Sequence, residues 1–202
     1  MQAAVSNTRY TNPFSLFTPK DPISALTHFI GFWLSIIGMP LLLVRAAVSG
    51  RTHSTPELLS LVIFMLSMIL LYAASTAYHT FRLSPQGNKL LKKLDHMMIF
   101  VLIAGSYTPF CVLVLKSAVG LKLLIAVWSL AAAGMLFKAL WVTCPKWVSS
   151  VIYIGMGWTA IFVIAPLFHE LSTTQFALLL AGGILYTIGG VIYAKKIRFT
   201  EL

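Results

Sequence analysis

The chain has 202 residues, of which 58% are hydrophobic and 10% are charged, with a mean hydropathy of +0.88. A water-soluble domain of that length needs more polar surface, so the soluble globular class is excluded. The formal net charge of +10 does not indicate nucleic acid, because the 15 lysines and arginines sit singly or in small groups between long apolar blocks. A basic rim that meets anionic lipid accounts for that distribution better than a nucleic-acid face.

A polar segment, 1–21, opens the chain, and a single transmembrane bundle is expected over 22–202. The first apolar block covers about 24–44 and is followed by Arg45 and Arg51. It is too long for a signal-peptide core and has no small-residue cleavage site, so it reads as a retained anchor. The second block, 58–78, runs into Tyr78-His79-Thr80-Phe81-Arg82, and a turn around Ser84-Pro85-Gln86-Gly87-Asn88 leads to Lys89, Lys92 and Lys93. A third begins near Asp95 and reaches Leu115; the rest cover 121–141, 148–168 and 176–194. Each block is about the 20 residues that a helix needs to cross a hydrocarbon core. The expected fold class is therefore all-α and polytopic, with about six transmembrane helices.

Eleven basic residues (Arg9, Lys20, Arg82, Lys89, Lys92, Lys93, Lys138, Lys146, Lys195, Lys196 and Arg198) fall on one side of this arrangement and four (Arg45, Arg51, Lys116 and Lys122) on the other. The positive-inside rule then places both termini in the cytoplasm, with the chain in the cell membrane. Trp128, Trp141 and Trp147 read as interfacial anchors near helix ends, and Trp158 lies deeper. Gly155, Gly157, Gly182-Gly183 and Gly189-Gly190 read as places of close helix approach, and Pro109 and Pro166 as kinks. Cys111 and Cys144 lie within or beside apolar blocks with no CxxC neighbour, which argues against a disulfide framework or thiolate metal site; they read as buried bystanders.

Ionisable residues inside a bilayer are costly, which makes each a functional candidate. His28 lies early in the first helix, His79 late in the second, and Asp95 and His96 open the third, so all four share one end of the bundle. Ser75 and His79 are four apart and share a helix face. A serine there hydrogen-bonds an imidazole, a metal-bound water or a polarised carbonyl, and Asp95 orients a histidine or takes a proton from water. His79 as a neutral imidazole is a zinc-ligand type; the competing reading leaves His79 and Asp95 wet at the interface or paired with Lys92 or Lys93. His28 reads as a capping or packing residue. His96 follows Asp95 directly, so the two point into different surroundings, and His53 and His169 read as solvent-exposed.

Several motifs in order carry a family likeness. Asp21-Pro22-Ile23-Ser24-Ala25-Leu26-Thr27-His28, Ser75-Thr76-Ala77-Tyr78-His79, Lys92-Lys93-Leu94-Asp95-His96 and Ala104-Gly105-Ser106-Tyr107-Thr108-Pro109-Phe110 resemble the bacterial hemolysin III-like proteins, as do Met156-Gly157-Trp158 and the run from Gly182 to Gly189. That family belongs with the progestin and adipoQ receptors and, more distantly, the alkaline ceramidases. The resemblance implies a seven-helix fold with an inner-leaflet zinc site, in which His79 is a zinc ligand and Ser75 and Asp95 flank a metal-bound water as catalytic groups. Related members hydrolyse lipid amides, and membrane homeostasis or cytolysis is associated with the bacterial branch. The family pattern takes two further zinc ligands from a His-x-x-x-His motif on a seventh helix, expected just beyond Phe199-Thr200-Glu201-Leu202, where this sequence stops. The expected zinc site is thus incomplete, with one of three protein ligands. The resulting readings are a zinc-dependent hydrolase of a membrane lipid amide or ester, a non-catalytic structural or permeability protein, and a truncated inactive family member. Membrane lipid is the expected partner in each.

Overall fold

A computed structural model of the chain describes residues 19–50 and 54–195. The expectations placed on Arg9, Arg51, His53, Lys196 and Arg198 lie outside these residues. The chain is an all-α polytopic membrane protein: six helical spans are long and apolar enough to cross a membrane, and no strand occurs among the described residues. In chain order the helices are α1 (Pro22–Val48), α2 (Thr55–Thr80), α3 (Pro85–Pro109), α4 (Ala118–Leu140), α5 (Lys146–Gly157), α6 (Ile164–Glu170) and α7 (Thr173–Lys195). The short α5 and α6 belong to one span, joined through the 3₁₀ segment Trp158–Val163.

α3 starts about ten residues before the apolar block that predicted it. Ser84 caps it by accepting a 3.2 Å hydrogen bond from the Gly87 N–H, and Pro85 occupies the first turn, where its missing N–H costs nothing. Lys89, Lys92 and Lys93 are therefore helical rather than part of a loop. Hydropathy marks only the part of a helix that lies in hydrocarbon and is blind to a charged extension. As a result Asp95 sits about 15 Å along α3, at 1.5 Å per residue, and its side chain faces protein.

α3 is the central helix, packed on α2 and α4, while α1 packs on α2 and α7 on α5. The core gathers around Phe100, Ala104, Val127 and Ala131, all without exposure, with the Tyr153 ring 4.7 Å from that of Phe100. Close approach depends on small residues, but mostly not the expected ones. A Cβ on Gly155, Gly182 or Gly189 would meet nothing, whereas one on Gly190 would lie 2.8 Å from Ile154 and one on Gly157 3.1 Å from Tyr186. The tightest approaches are at Gly105, against Ser67, and Gly134, against the Phe100 ring.

Both prolines mark irregular backbone. Pro109 closes the α-helical part of α3, which continues as a π-helical turn over Phe110–Val114. Pro166 has no N–H to offer the carbonyl one turn earlier, and the 3₁₀ segment lies just before it. Backbone freed at depth must be satisfied by protein. Tyr107 of α3 does this by donating to the Gly157 carbonyl (2.5 Å) and accepting from the Ala160 N–H (2.9 Å). Trp158 donates to Thr187 Oγ1 of α7 (2.9 Å) and Trp128 to Thr108 Oγ1 of α3 (3.2 Å), so both tie helices together. Trp128 is thus a packing residue, while Trp141 and Trp147 are exposed beside the turn between α4 and α5.

At the end of the bundle away from His79, Glu57 in the first turn of α2 accepts from the Ser54 N–H and pairs with Lys116 Nζ at 2.9 Å. Lys138 departs from the expected basic rim: it is 1% exposed, inside the protein.

Gly134→Ala is expected to lower stability by about 1–3 kcal/mol, because the added methyl collides with a fully buried ring. Gly155→Ala, with open space at its Cβ, is expected to be neutral or stabilising by up to about 1 kcal/mol. Thermal unfolding of both variants in detergent checks the contrast.

Candidate functional site

Antiparallel packing brings the start of α1, the end of α2 and the early turns of α3 to one end of the bundle. Lys20 and Asp21 donate backbone N–H bonds to the His79 carbonyl at 2.9 and 3.2 Å, which fastens the entry to α1 onto the last turn of α2. On the α3 side, Asn88 Oδ1 accepts from Lys20 Nζ at 3.2 Å and from the Leu83 N–H at 3.3 Å. These bonds set the relative depth of three helices before any side chain of the cluster is considered.

Inside this frame the polar residues meet in two linked pairs. Ser75 Oγ is 2.5 Å from His28 Nδ1, and the buried Asp95 carboxylate of α3 lies beside the same hydroxyl. Ser75 and Asp95 are 3% and 8% exposed. His79 Nδ1 is 2.9 Å from Asp21 Oδ2, and its ring stands edge-on to that of His28 with centroids 5.6 Å apart. The Ser75 hydroxyl therefore stands between α1 and α3, while His79 is held from the side by Asp21. Lys20 lies beside this cluster with its Nζ 4.2 Å over the Tyr78 ring. Burial pulls its ammonium below the ordinary lysine value, opposed by the charges of Asp21 and Asp95.

The structure thus brings together Ser75, His79 and Asp95, and it places His28 among them rather than as a cap. Ser75 turns toward His28 and Asp95, although it shares a helix face with His79. His96 stays close to Asp95, against the expectation from their spacing: its Nδ1, buried without a hydrogen-bond partner, lies 3.8 Å from Asp95 Oδ2, while its Nε2 lies 3.3 Å from the Tyr193 hydroxyl. His169 is exposed. The residue missed by sequence reasoning is Asp21. Its position just before the first helical residue reads as a helix start, and only the pairing of α1 with α2 puts its carboxylate on His79.

A zinc site needs at least three protein ligands. Among the described residues no group of three His, Cys, Asp or Glu is placed to hold a metal ion. The Asp21 contact at Nδ1 leaves His79 Nε2 available as a ligand, but no two further ligands stand with it among the described residues. The described residues alone therefore do not fit zinc.

Residues 17–200 match the family described as Haemolysin-III related. The chain belongs to the haemolysin III family. It is 42% identical over 186 residues to a "Hemolysin-3 homolog" of Bacillus subtilis (strain 168), covering 91% of this chain and 85% of that protein. It is 38% identical over 186 residues to "Hemolysin-3" of Bacillus cereus, covering 92% of this chain and 83% of that protein. No solved structure matches it significantly.

Asp21→Asn is expected to release the preference of neutral His79 for the tautomer protonated at Nδ1, visible in the nitrogen chemical shifts of ¹⁵N-histidine-labelled protein. Because Asp21 is 60% exposed, its stability cost is expected to be small, about 0.2–1 kcal/mol. Ser75→Ala is expected to cost more, about 1–3 kcal/mol by thermal unfolding, since it leaves His28 and Asp95 without their shared hydroxyl.

Proposed function

We propose that this haemolysin III family member acts on the polar linkage of a membrane lipid, an amide or ester, at the cluster of His28, Ser75, His79, Asp95 and Asp21. The observation that carries this reading is the Ser75 hydroxyl held between an imidazole 2.5 Å away and a buried carboxylate. His28, Ser75 and Asp95 lie inside α1, α2 and α3, where such side chains are costly in a bilayer unless they meet a polar ligand or each other. The cytoplasmic end of the bundle is the natural side by the positive-inside count, which puts the site at the inner leaflet of the cell membrane.

The residues have distinct roles in this reading. Ser75 donates to or accepts from the carbonyl-bearing linkage. His28 and Asp95 exchange its proton, and the Asp21–His79 pair supplies a second imidazole whose orientation is fixed. In hydrolysis, water adds to the carbonyl carbon, the bond to the amine or alkoxide leaving group breaks, and the water proton passes through Asp95 or His28 to that group. No step is assigned to zinc, because the described residues provide no three-ligand site.

A cytolytic or permeability role, in keeping with the name Hemolysin-3 of a relative, is the second reading. It rests on the bundle rather than on the cluster, so the two separate by mutation. The experiment is turnover of a fluorescent lipid amide and the matching ester in proteoliposomes, beside dye release from vesicles without substrate. The expected result is product formation that falls at least about tenfold in Ser75→Ala and Asp95→Asn while both variants stay folded. Turnover unchanged in both would sink the hydrolytic reading, and dye release that persists in both would favour the permeability one. Zinc content per purified chain, with His79→Ala as control, is expected to lie well below one. A full equivalent lost in the mutant would show that His79 recruits ligands from outside the described cluster.

A further inference from the structure

Lys138 is the strangest residue in the bundle. It lies in the last turn of α4 with 1% exposure, and no carboxylate among the described residues lies within ion-pair distance of it. A buried ammonium without a counter-ion is expensive, so its surroundings have to offer something in return. Nζ lies 2.5 Å from Ser149 Oγ and 3.1 Å from Cys144 Sγ, and the thiol and hydroxyl are 3.3 Å apart. The walls are apolar, with the Phe137 and Tyr153 rings centred 5.8 and 6.0 Å from Nζ. An amine, a thiol and a hydroxyl thus form a closed triangle between the last turn of α4, the connecting turn and the first turn of α5.

We propose that this triangle is a modification site, at which a peroxide joins Cys144 to Lys138 through a sulfur–nitrogen bond. The contact distance already places amine and sulfur as neighbours, so the cross-link needs no rearrangement of the helices. In the first step Cys144 sulfur attacks one oxygen of hydrogen peroxide. An S–O bond forms, the O–O bond breaks, and the thiol proton leaves with the departing oxygen as water. In the second, Lys138 first passes its ammonium proton to water; the freed lone pair attacks the sulfenic sulfur, the S–N bond forms, the S–O bond breaks, and hydroxide leaves with an amine proton as a second water. Thiol, amine and one peroxide give one sulfenamide and two waters, with sulfur oxidised by two electrons and the peroxide reduced. Condensation of a sulfenic acid with a nearby nitrogen is known chemistry, and here the nitrogen is held in place. Ser149, touching both partners, is positioned to carry the proton between them.

Access is through the connecting turn. Cys144 is 7% exposed, but Thr143 and Pro145 on either side of it are exposed, and hydrogen peroxide is little larger than water. Cys111, 4% exposed among apolar residues of the core, is the internal control. The link would fasten the end of α4 to the turn that launches α5. The hydroxyl of Tyr153, on α5, donates to the His96 carbonyl of α3 at 2.9 Å.

The test treats the purified chain in lipid nanodiscs with hydrogen peroxide, alkylates the remaining thiols, and reads intact mass and peptide maps. The expected result is a species lighter by two hydrogens, a linked peptide joining Lys138 to Cys144, alkylated Cys111, and reversal by dithiothreitol. In Lys138→Arg the linked peptide is expected to vanish and Cys144 to carry two or three added oxygens instead. A wild-type chain whose Cys144 goes straight to those higher oxides, or stays a free thiol while Cys111 reacts, would overturn the proposal. The wild-type arm decides it even where the variant fails to fold.

Discussion

With no water in the hydrocarbon region, a polar group placed there is costly unless it finds its partner within the protein. Much of this structure follows from that constraint. Ser75 is the clearest case, because its one hydroxyl meets a histidine of α1 and an aspartate of α3 while it sits on α2. α1 cannot slide on α2 without breaking the His28–Ser75 bond, and α3 is held against α2 by packing. Tyr107 does the same at the far side of α3, where it satisfies the carbonyl and N–H left over by the break between α5 and α6.

Polar contacts of this kind are individually modest, averaging about 0.6 kcal/mol between membrane helices. Their value lies in register more than in strength, since packing of small residues against rings supplies the adhesion. Gly134 against Phe100 and Gly105 against Ser67 bring α3 close to α4 and α2, and that proximity lets the early turns of α3 meet the end of α2. The polar cluster is thus a consequence of how tightly the central helix is held. α7, by contrast, has no buried residue, and it is tied mainly through Trp158, Tyr193 and its packing on α5.

The two unusual polar groups of the bundle lie at the same end and are built differently. Around Ser75 the partners are acids and imidazoles that can exchange protons. Around Lys138 they are a thiol and a hydroxyl with aromatic walls, a setting suited to a nucleophile and to oxidation chemistry. His96 stands between them, with its carbonyl bonded to Tyr153 on one side and its ring near Asp95 and Tyr193 on the other.

The sequence alone determined the class and the number of spans, because a continuous apolar run of bilayer length has no other stable use. It also marked Ser75, His79 and Asp95 through motif resemblance and shared depth, since ionisable residues in apolar blocks are conspicuous. It did not determine which side chain meets which. A helix face contains several outward directions, and the choice of Ser75 for His28 and Asp95, rather than His79, depends on the angle and register of the neighbouring helices. Asp21 was hidden for the same reason, looking like a helix start until α1 was laid against α2. Lys138 was misplaced because charge counting assigns every lysine at a helix end to the rim. Only packing decided that this one is enclosed, its partners lying across the turn on α5 and beside it in the connecting loop.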